Sequence, residues 1–141
     1  MVVKNVLHMK AGDGVNSYAN NSLLQETAIL KAKSILKETI RSMFIKNSPT
    51  YLPTSFRIVD LGCSSGPNAL LPISYIIDTI YQICEEENVT PDRISEFQVF
   101  LNDFLGNDFN SLFNFIPNFY KKLENAKRES FSRCFISVVP D

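Results

Sequence analysis

The sequence lacks a surplus of charge of either sign. Fourteen lysines and arginines stand against fifteen aspartates and glutamates in 141 residues, a formal net charge of −1. A duplex nucleic-acid binder carries a basic patch, and no basic run here is longer than Lys121-Lys122; no nucleic-acid partner is expected. Long apolar runs are missing too. None approaches the roughly 20 residues that span a bilayer, so no membrane partner is expected either. Met1 to Lys10 is too short and too polar to read as a signal peptide. Cysteine is sparse: Cys63, Cys84 and Cys134 form no C-x-x-C pair, and three thiols cannot all pair with one another. That usage suits a reducing compartment and argues against a structural zinc site. The cytoplasm is the expected location. The single histidine, His8, has no evident partner and reads as structural.

What is present is the make-up of one ordinary globular domain. Hydrophobic residues are 45% and charged residues 21%, which excludes wholesale disorder. Val6 to Asn21 mixes glycines with serine, aspartate and asparagine turn formers and reads as a loop or arm. Ile29, Ala32, Leu36, Ile40 and Met43 then recur at spacings of three and four, the pattern of a helix with one buried face. Ser22-Leu-Leu-Gln25 matches a capping box that would start it, and Asn47-Ser48-Pro49 would end it.

Three short β-branched and aromatic runs follow: Phe56 to Leu61, Phe97 to Asn102 and Cys134 to Val139. Each reads as a buried strand. Between the first two, Ile73, Ile76, Ile77, Ile80 and Ile83 mark the inner face of a helix. Pro67 is placed to open that helix, and Pro72 is expected to kink its early turns. Leu112, Ile116, Phe119 and Leu123 mark a third helix, with Pro117 expected to interrupt it. Helix and strand alternate, the pattern of an α/β fold with a parallel sheet. Three strands make about half of a doubly wound sheet. The expectation is an incomplete sheet: either the chain is part of a longer protein, or it completes its sheet against another chain. Some of Phe109, Phe113, Phe115, Phe119, Phe131 and Phe135 should then stay exposed.

The stretch Ile58 to Asn68, IVDLGCSSGPN, carries the chemistry. A strand ending in Asp60, then Gly62, then Gly66 at a helix start builds a nucleotide-type pocket. Gly62 lets backbone approach a ligand, and a helix N-terminus offers free N–H groups. The dinucleotide fingerprint wants G-x-G-x-x-G. Here Asp60 stands in place of the first glycine, and three residues separate the later two. A carboxylate at the strand tip repels a pyrophosphate and attracts a cation such as the sulfonium or ammonium of S-adenosylmethionine. Asp103, 43 residues on at the tip of the next strand, is placed to accept from ribose hydroxyls. The plainer readings are a capping aspartate at 60 and a solvated strand end at 103.

Three linked motifs go further: VLHMKAGDGVNSYANNSLLQ (Val6 to Gln25), IVDLGCSSGPNAL (Ile58 to Leu70) and QVFLNDFLGNDFNSLF (Gln98 to Phe113). In this order and spacing the chain resembles the plant SABATH family of S-adenosylmethionine-dependent methyltransferases. The family methylates small carboxylic acids and, in one branch, xanthine-type nitrogens. The resemblance runs through FISVVP (Phe135 to Pro140) and is to the N-terminal portion of a longer Rossmann-like methyltransferase fold. It implies an arm over residues 1–21, a helix over 22–46, and the first βαβαβ units with the cofactor site over 56–141.

The resemblance also implies roles. Tyr18, Ser22, Cys63 and Asn68 match cofactor-contacting positions, together with Asp60 and Gly62 at the methionine end and Asp103 at the ribose. Phe104 stands beside the adenine where the family usually has leucine, and Leu105 where it has proline. Cys63 reads as a small ligand-facing residue and not a nucleophile, with only a helix N-terminus to lower its pKa. Lys10 and Gln25 match positions that hold an acceptor carboxylate. Their plainer readings are a surface lysine and the capping partner of Ser22. No catalytic base is assigned, and the magnesium that some members hold lies beyond Asp141. The expected activity is methyl transfer to the carboxylate of a small plant acid of the salicylate, benzoate or jasmonate type. The alternatives are N-methylation of xanthine-type alkaloids, or a non-catalytic chain that binds cofactor or forms a homodimer.

Overall fold

The computed structural model of the chain describes residues 23–46, 52–127 and 133–141. The expected arm over 1–21, with Lys10 and Tyr18, lies outside them, as do Ser22 and Phe131. The elements are α1 (Leu23–Lys46), β1 (Ser55–Leu61), α2 (Leu71–Glu86), a 3-10 turn (Pro91–Arg93), β2 (Glu96–Asp103), α3 (Phe109–Lys127) and β3 (Arg133–Pro140).

The strands form one parallel sheet in the order β1-β2-β3. Crossovers that step in one direction with the usual right hand put both connecting helices on the same face. The register aligns Phe56, Phe97 and Cys134, then Ile58, Val99 and Ile136, then Asp60, Leu101 and Val138. Side chains alternate across a strand, so these rows share a face. Phe97, Val99 and Leu101 are buried there with Ile73, Ile77 and Ile80 of α2 and Leu112, Phe119 and Leu123 of α3. The opposite face carries Val59, Leu61, Phe135 and Val139, all exposed; Leu61 is 78% accessible. Parallel sheets are normally covered on both faces, and among the described residues this one is covered on one. Of the phenylalanines expected to stay exposed, Phe113 and Phe135 do, Phe109 and Phe115 are half-buried, and Phe119 is in the core.

Three expectations about helices need correction. The second helix does not start at Pro67. Residues 67–70 form turns, with Ala69 N–H donating to Gly66 O (3.1 Å) and Leu71 N–H to Asn68 O (3.1 Å), and α2 begins at Leu71. Pro72 therefore lies in the first turn, where a missing N–H forfeits no intrahelical bond and no kink is needed. Pro117 does not interrupt the third helix, which runs unbroken from Phe109 to Lys127. Both Pro117 and Phe113, whose carbonyl loses its partner, are exposed, so water can serve that carbonyl.

The periodic face of α1 is also only partly buried. Ile40 is in the core and Leu36 half-buried, while Ala32 and Met43 are exposed. The helix meets α2 from Lys33 onward. Lys33 lies over the Tyr75 ring, Lys37 Nζ pairs with Glu86 Oε1 at 2.8 Å, and Arg41 pairs with the same carboxylate. Before that point Leu24 and Leu30 are exposed.

Candidate functional site

The C-terminal ends of β1 and β2 lie side by side, and the chain turns sharply after each. Gly62 N–H and Cys63 N–H both donate to Asn102 O, at 2.8 and 2.9 Å. That shared acceptor bends the chain off the end of β1. The bend requires positive φ at Gly62 (+85°) and at Ser64 (+65°). Glycine accepts this freely, and serine adopts it at a cost. A Cβ placed on Gly62 would meet nothing within 4 Å, so the glycine faces open space.

Asp103 closes the turn from the neighbouring strand. It is 6% accessible, and its Oδ2 accepts the Ser64 N–H at 2.7 Å while Oδ1 accepts the Phe104 N–H at 2.7 Å. It is not the solvated strand end of the plainer reading. Each oxygen keeps a further lone pair. Asp60 lies on the same face of the sheet. Burial, and then the negative charge of Asp103, hold its carboxyl above the ordinary aspartate range. The ion pairs of Lys37 and Arg41 with Glu86 lie away from these strand tips. Two carboxylates with no basic partner among the described residues, beside open space, suit a ligand that brings positive charge and hydroxyl donors.

Cys63 is buried in the turn, and its Sγ donates to Ser64 O at 3.4 Å. Burial, with the charges of Asp103 and Asp60 adding to it, pushes its thiol up to about 12. The helix N-terminus expected to lower it has moved away to Leu71. Cys63 is a packing residue of the turn in the protein's own fold, not a thiolate. Cys63, Cys84 and Cys134 are all free.

Phe104 and Leu105 project from the loop after β2, both exposed. The Leu105 N–H donates to Asp141 O at 2.8 Å, and the Asp141 N–H returns to Asp103 O at 3.0 Å. A proline at 105 would lack that donor. Asp108 then caps α3. Its Oδ1 accepts Ser111 N–H at 3.1 Å and its Oδ2 the Ser111 hydroxyl at 2.6 Å, which hold its pKa below the ordinary value.

The structure thus brings Asp60, Gly62, Cys63, Asp103 and Phe104 to one corner, with Asn68 following in the turns before α2. Gln25 lies near the start of α1, and its side chain is outside the described residues. Three residues escaped sequence reasoning: Asn102, whose carbonyl anchors the turn and whose Nδ2 donates to Val139 O at 2.9 Å, Ser64, and Asn107. The one available signal was the doubled Asn-Asp in LNDFLGND. Among the described residues no group of three or more His, Cys, Asp or Glu side chains gathers as a metal site. No helix among them is long and apolar enough to cross a membrane.

Comparisons with known proteins converge. The profile of the SAM-dependent carboxyl methyltransferases matches residues 4–141. The jasmonate O-methyltransferase of Arabidopsis thaliana is 41% identical over 147 residues, covering 99% of this chain and 36% of that protein. A probable caffeine synthase of Coffea canephora is 39% identical over 140 residues, again 99% of this chain and 36% of the relative. A solved loganic acid methyltransferase with SAH superposes with a TM-score of 0.68 at 34% identity, covering 95% of this chain and 34% of that one. The chain thus spans about a third of the length of the relatives it matches.

Proposed function

Since the chain belongs to the SAM-dependent carboxyl methyltransferase family, we propose that the β1–β2 corner is its S-adenosylmethionine site and that the protein serves methyl transfer to the carboxylate of a small acid. The observation that carries the reading is the pair Asp60 and Asp103: two carboxylates with no basic partner among the described residues, on either side of a glycine turn open to solvent.

The residues present fit S-adenosylmethionine. Its positive charge answers the carboxylate pair, and its ribose hydroxyls answer the free lone pairs of Asp103. Gly62 leaves room for close approach, and the exposed ring of Phe104 offers a flat apolar surface to adenine. Cys63 and Asn68 shape the turn that the ligand meets. When bound, the cofactor supplies an electrophilic methyl group. Tyr18, from the arm over 1–21, and Ser22, at the start of the helix over 22–46, contact it from the other side.

For the acceptor, Lys10 and Gln25 hold the carboxylate oxygen that does not react. A carboxylate with an ordinary pKa near ~4 is already ionised at neutral pH. No general base is required, and the chain's work is to orient one oxygen in line and exclude water. Acceptors of the salicylate, benzoate or jasmonate type fit this scheme. The family profile and the jasmonate relative favour it. Xanthine N-methylation is the second reading, favoured by relatives such as the 7-methylxanthine methyltransferase of Coffea canephora at 39% identity.

A cytoplasmic location belongs to the same proposal, supported by three free thiols. So does homodimer formation through the exposed row of Val59, Leu61, Phe135 and Val139. The test of function supplies radiolabelled methyl donor with salicylate, benzoate, jasmonate or xanthosine. Label in the acids and not in xanthosine supports the carboxyl reading, and the reverse favours the second. Cofactor binding without label in any acceptor favours a non-catalytic chain.

A further inference from the structure

We propose that Asn107 is a positioning residue for the cofactor turn, holding Ser64 in its left-handed conformation so that the backbone of 62–65 is set before a ligand arrives. The proposal rests on the reading of that turn as the cofactor site given above.

Ser64 is buried, so neither its N–H nor its C=O can turn to water. Its φ of +65° is disfavoured for any residue with a Cβ. Something must hold it, and two side chains do, one from the tip of β2 and one from the β2–α3 connection. Asp103 Oδ2 takes its N–H at 2.7 Å. Asn107 Nδ2 donates to its carbonyl at 3.0 Å. The Cys63 thiol reaches the same carbonyl at 3.4 Å, but a thiol is a weak donor. Ser64 is thus gripped at both polar ends of its backbone.

Asn107 is itself placed firmly. Its N–H donates to Phe104 O at 2.8 Å, its carbonyl accepts the Phe109 N–H at 3.0 Å, and the loop is tied by Leu105 N–H to Asp141 O. The next residue, Asp108, caps α3. The amide has one orientation open to it, because the reverse would press Oδ1 against the Ser64 carbonyl. In that orientation Oδ1 is buried with no hydrogen-bond partner among the described residues. A buried unpaired acceptor is costly, and an apolar side chain of similar size would avoid the cost. The bond to Ser64 is what the asparagine offers in return. A turn fixed in advance loses less conformational freedom on binding, which raises affinity without a contact to the ligand.

The experiment combines amide hydrogen exchange over residues 62–66, calorimetric titration with S-adenosylhomocysteine, and thermal melting. Asn107→Ala should speed exchange in that segment and weaken binding about tenfold, the size expected when a left-handed residue loses its restraint. Asn107→Asp keeps the shape, puts an acceptor against a carbonyl, and should lose as much. The deciding variant is Asn107→Ala with Ser64→Gly. Glycine is comfortable at this φ, so the pair should recover the part of the affinity lost to left-handed strain although the hydrogen bond is still gone. A general loss of stability would not be repaired this way. Wild-type exchange and affinity in Asn107→Ala overturn the proposal, as does a loss that Ser64→Gly leaves unchanged. An unsubstituted chain that does not bind S-adenosylhomocysteine overturns the cofactor reading and with it the role toward a cofactor, even where the exchange data still report a clamp on Ser64.

Discussion

Asp103 reaches across from the tip of β2 to accept the backbone N–H of Ser64 at 2.7 Å, so the aspartate proposed to meet the ribose also builds the turn beneath it. The two tasks share one carboxylate. Asp103→Ala should therefore weaken S-adenosylhomocysteine binding and lower the stability of the empty chain. The stability loss should be roughly 1.5–3 kcal/mol, the range for a hydrogen bond to a charged group. Urea denaturation without ligand reads the second effect. A variant with normal urea stability and impaired binding would assign Asp103 to the ligand alone.

Asp60 predicts a pH dependence of definite sign. Burial and the Asp103 charge raise its pKa in the folded chain. Between the ordinary aspartate value, about 4, and that raised value, the folded state holds a proton that the unfolded state has released. Stability contributed by Asp60 therefore falls as pH rises through this window. Asp60→Asn should melt higher than the parent at pH 7, with the advantage vanishing below about pH 4. The same substitution should weaken binding of a cationic ligand. Equal melting temperatures across the whole range would mean that Asp60 is not under this strain.

The thiols should be quiet. Cys63 is pushed up to about 12 and Cys134 up to about 11 by burial, and Cys84 is raised as well. At pH 8 the thiolate fraction of each is small, and the thiolate is the reactive form. Ellman's reagent should label the folded chain slowly and all three thiols quickly in guanidinium. Rapid native labelling of Cys63 would contradict its place in the turn.

Pro117→Ala should stabilise the chain. The proline removes a hydrogen bond to Phe113 O inside α3, a defect worth about 3 kcal/mol in a helix interior. Alanine gives back about 0.4–1 kcal/mol through a more flexible unfolded chain, and the exposure of Phe113 leaves room for water to ease the lost bond. A net gain of roughly 1–2 kcal/mol is expected in chemical denaturation. A loss would show that the proline's shape is needed where α3 packs.

Much of this fold was legible because its signals are local. The alternation of apolar runs placed β1, β2 and β3 within a residue or two of Ser55–Leu61, Glu96–Asp103 and Arg133–Pro140. The carboxylates at 60 and 103 could be paired in advance because parallel strands bring their C-terminal tips to one edge. What escaped was set by context. Proline 72 looked like a fault until the helix start moved to Leu71. Proline 117 was outweighed by the burial of Leu112, Phe119 and Leu123 around it. The stripe on α1 promised more burial than the fold delivers, since Ala32 and Met43 are exposed and only Ile40 and Leu36 of its described positions pack inward. Asn107 and Ser64 were invisible because a left-handed serine and its clamp leave no periodic trace.

On the proposed reading, the β1–β2 corner binds S-adenosylmethionine through its carboxylate pair. Calorimetric titration of the 141-residue chain with S-adenosylmethionine tests it most directly, run in parallel with Asp60→Asn and Asp103→Ala. Saturable binding near one ligand per chain is expected, weakened about tenfold or more by each substitution, as for a lost charge-assisted contact. Absence of saturable binding, or an affinity that neither substitution changes, would contradict it.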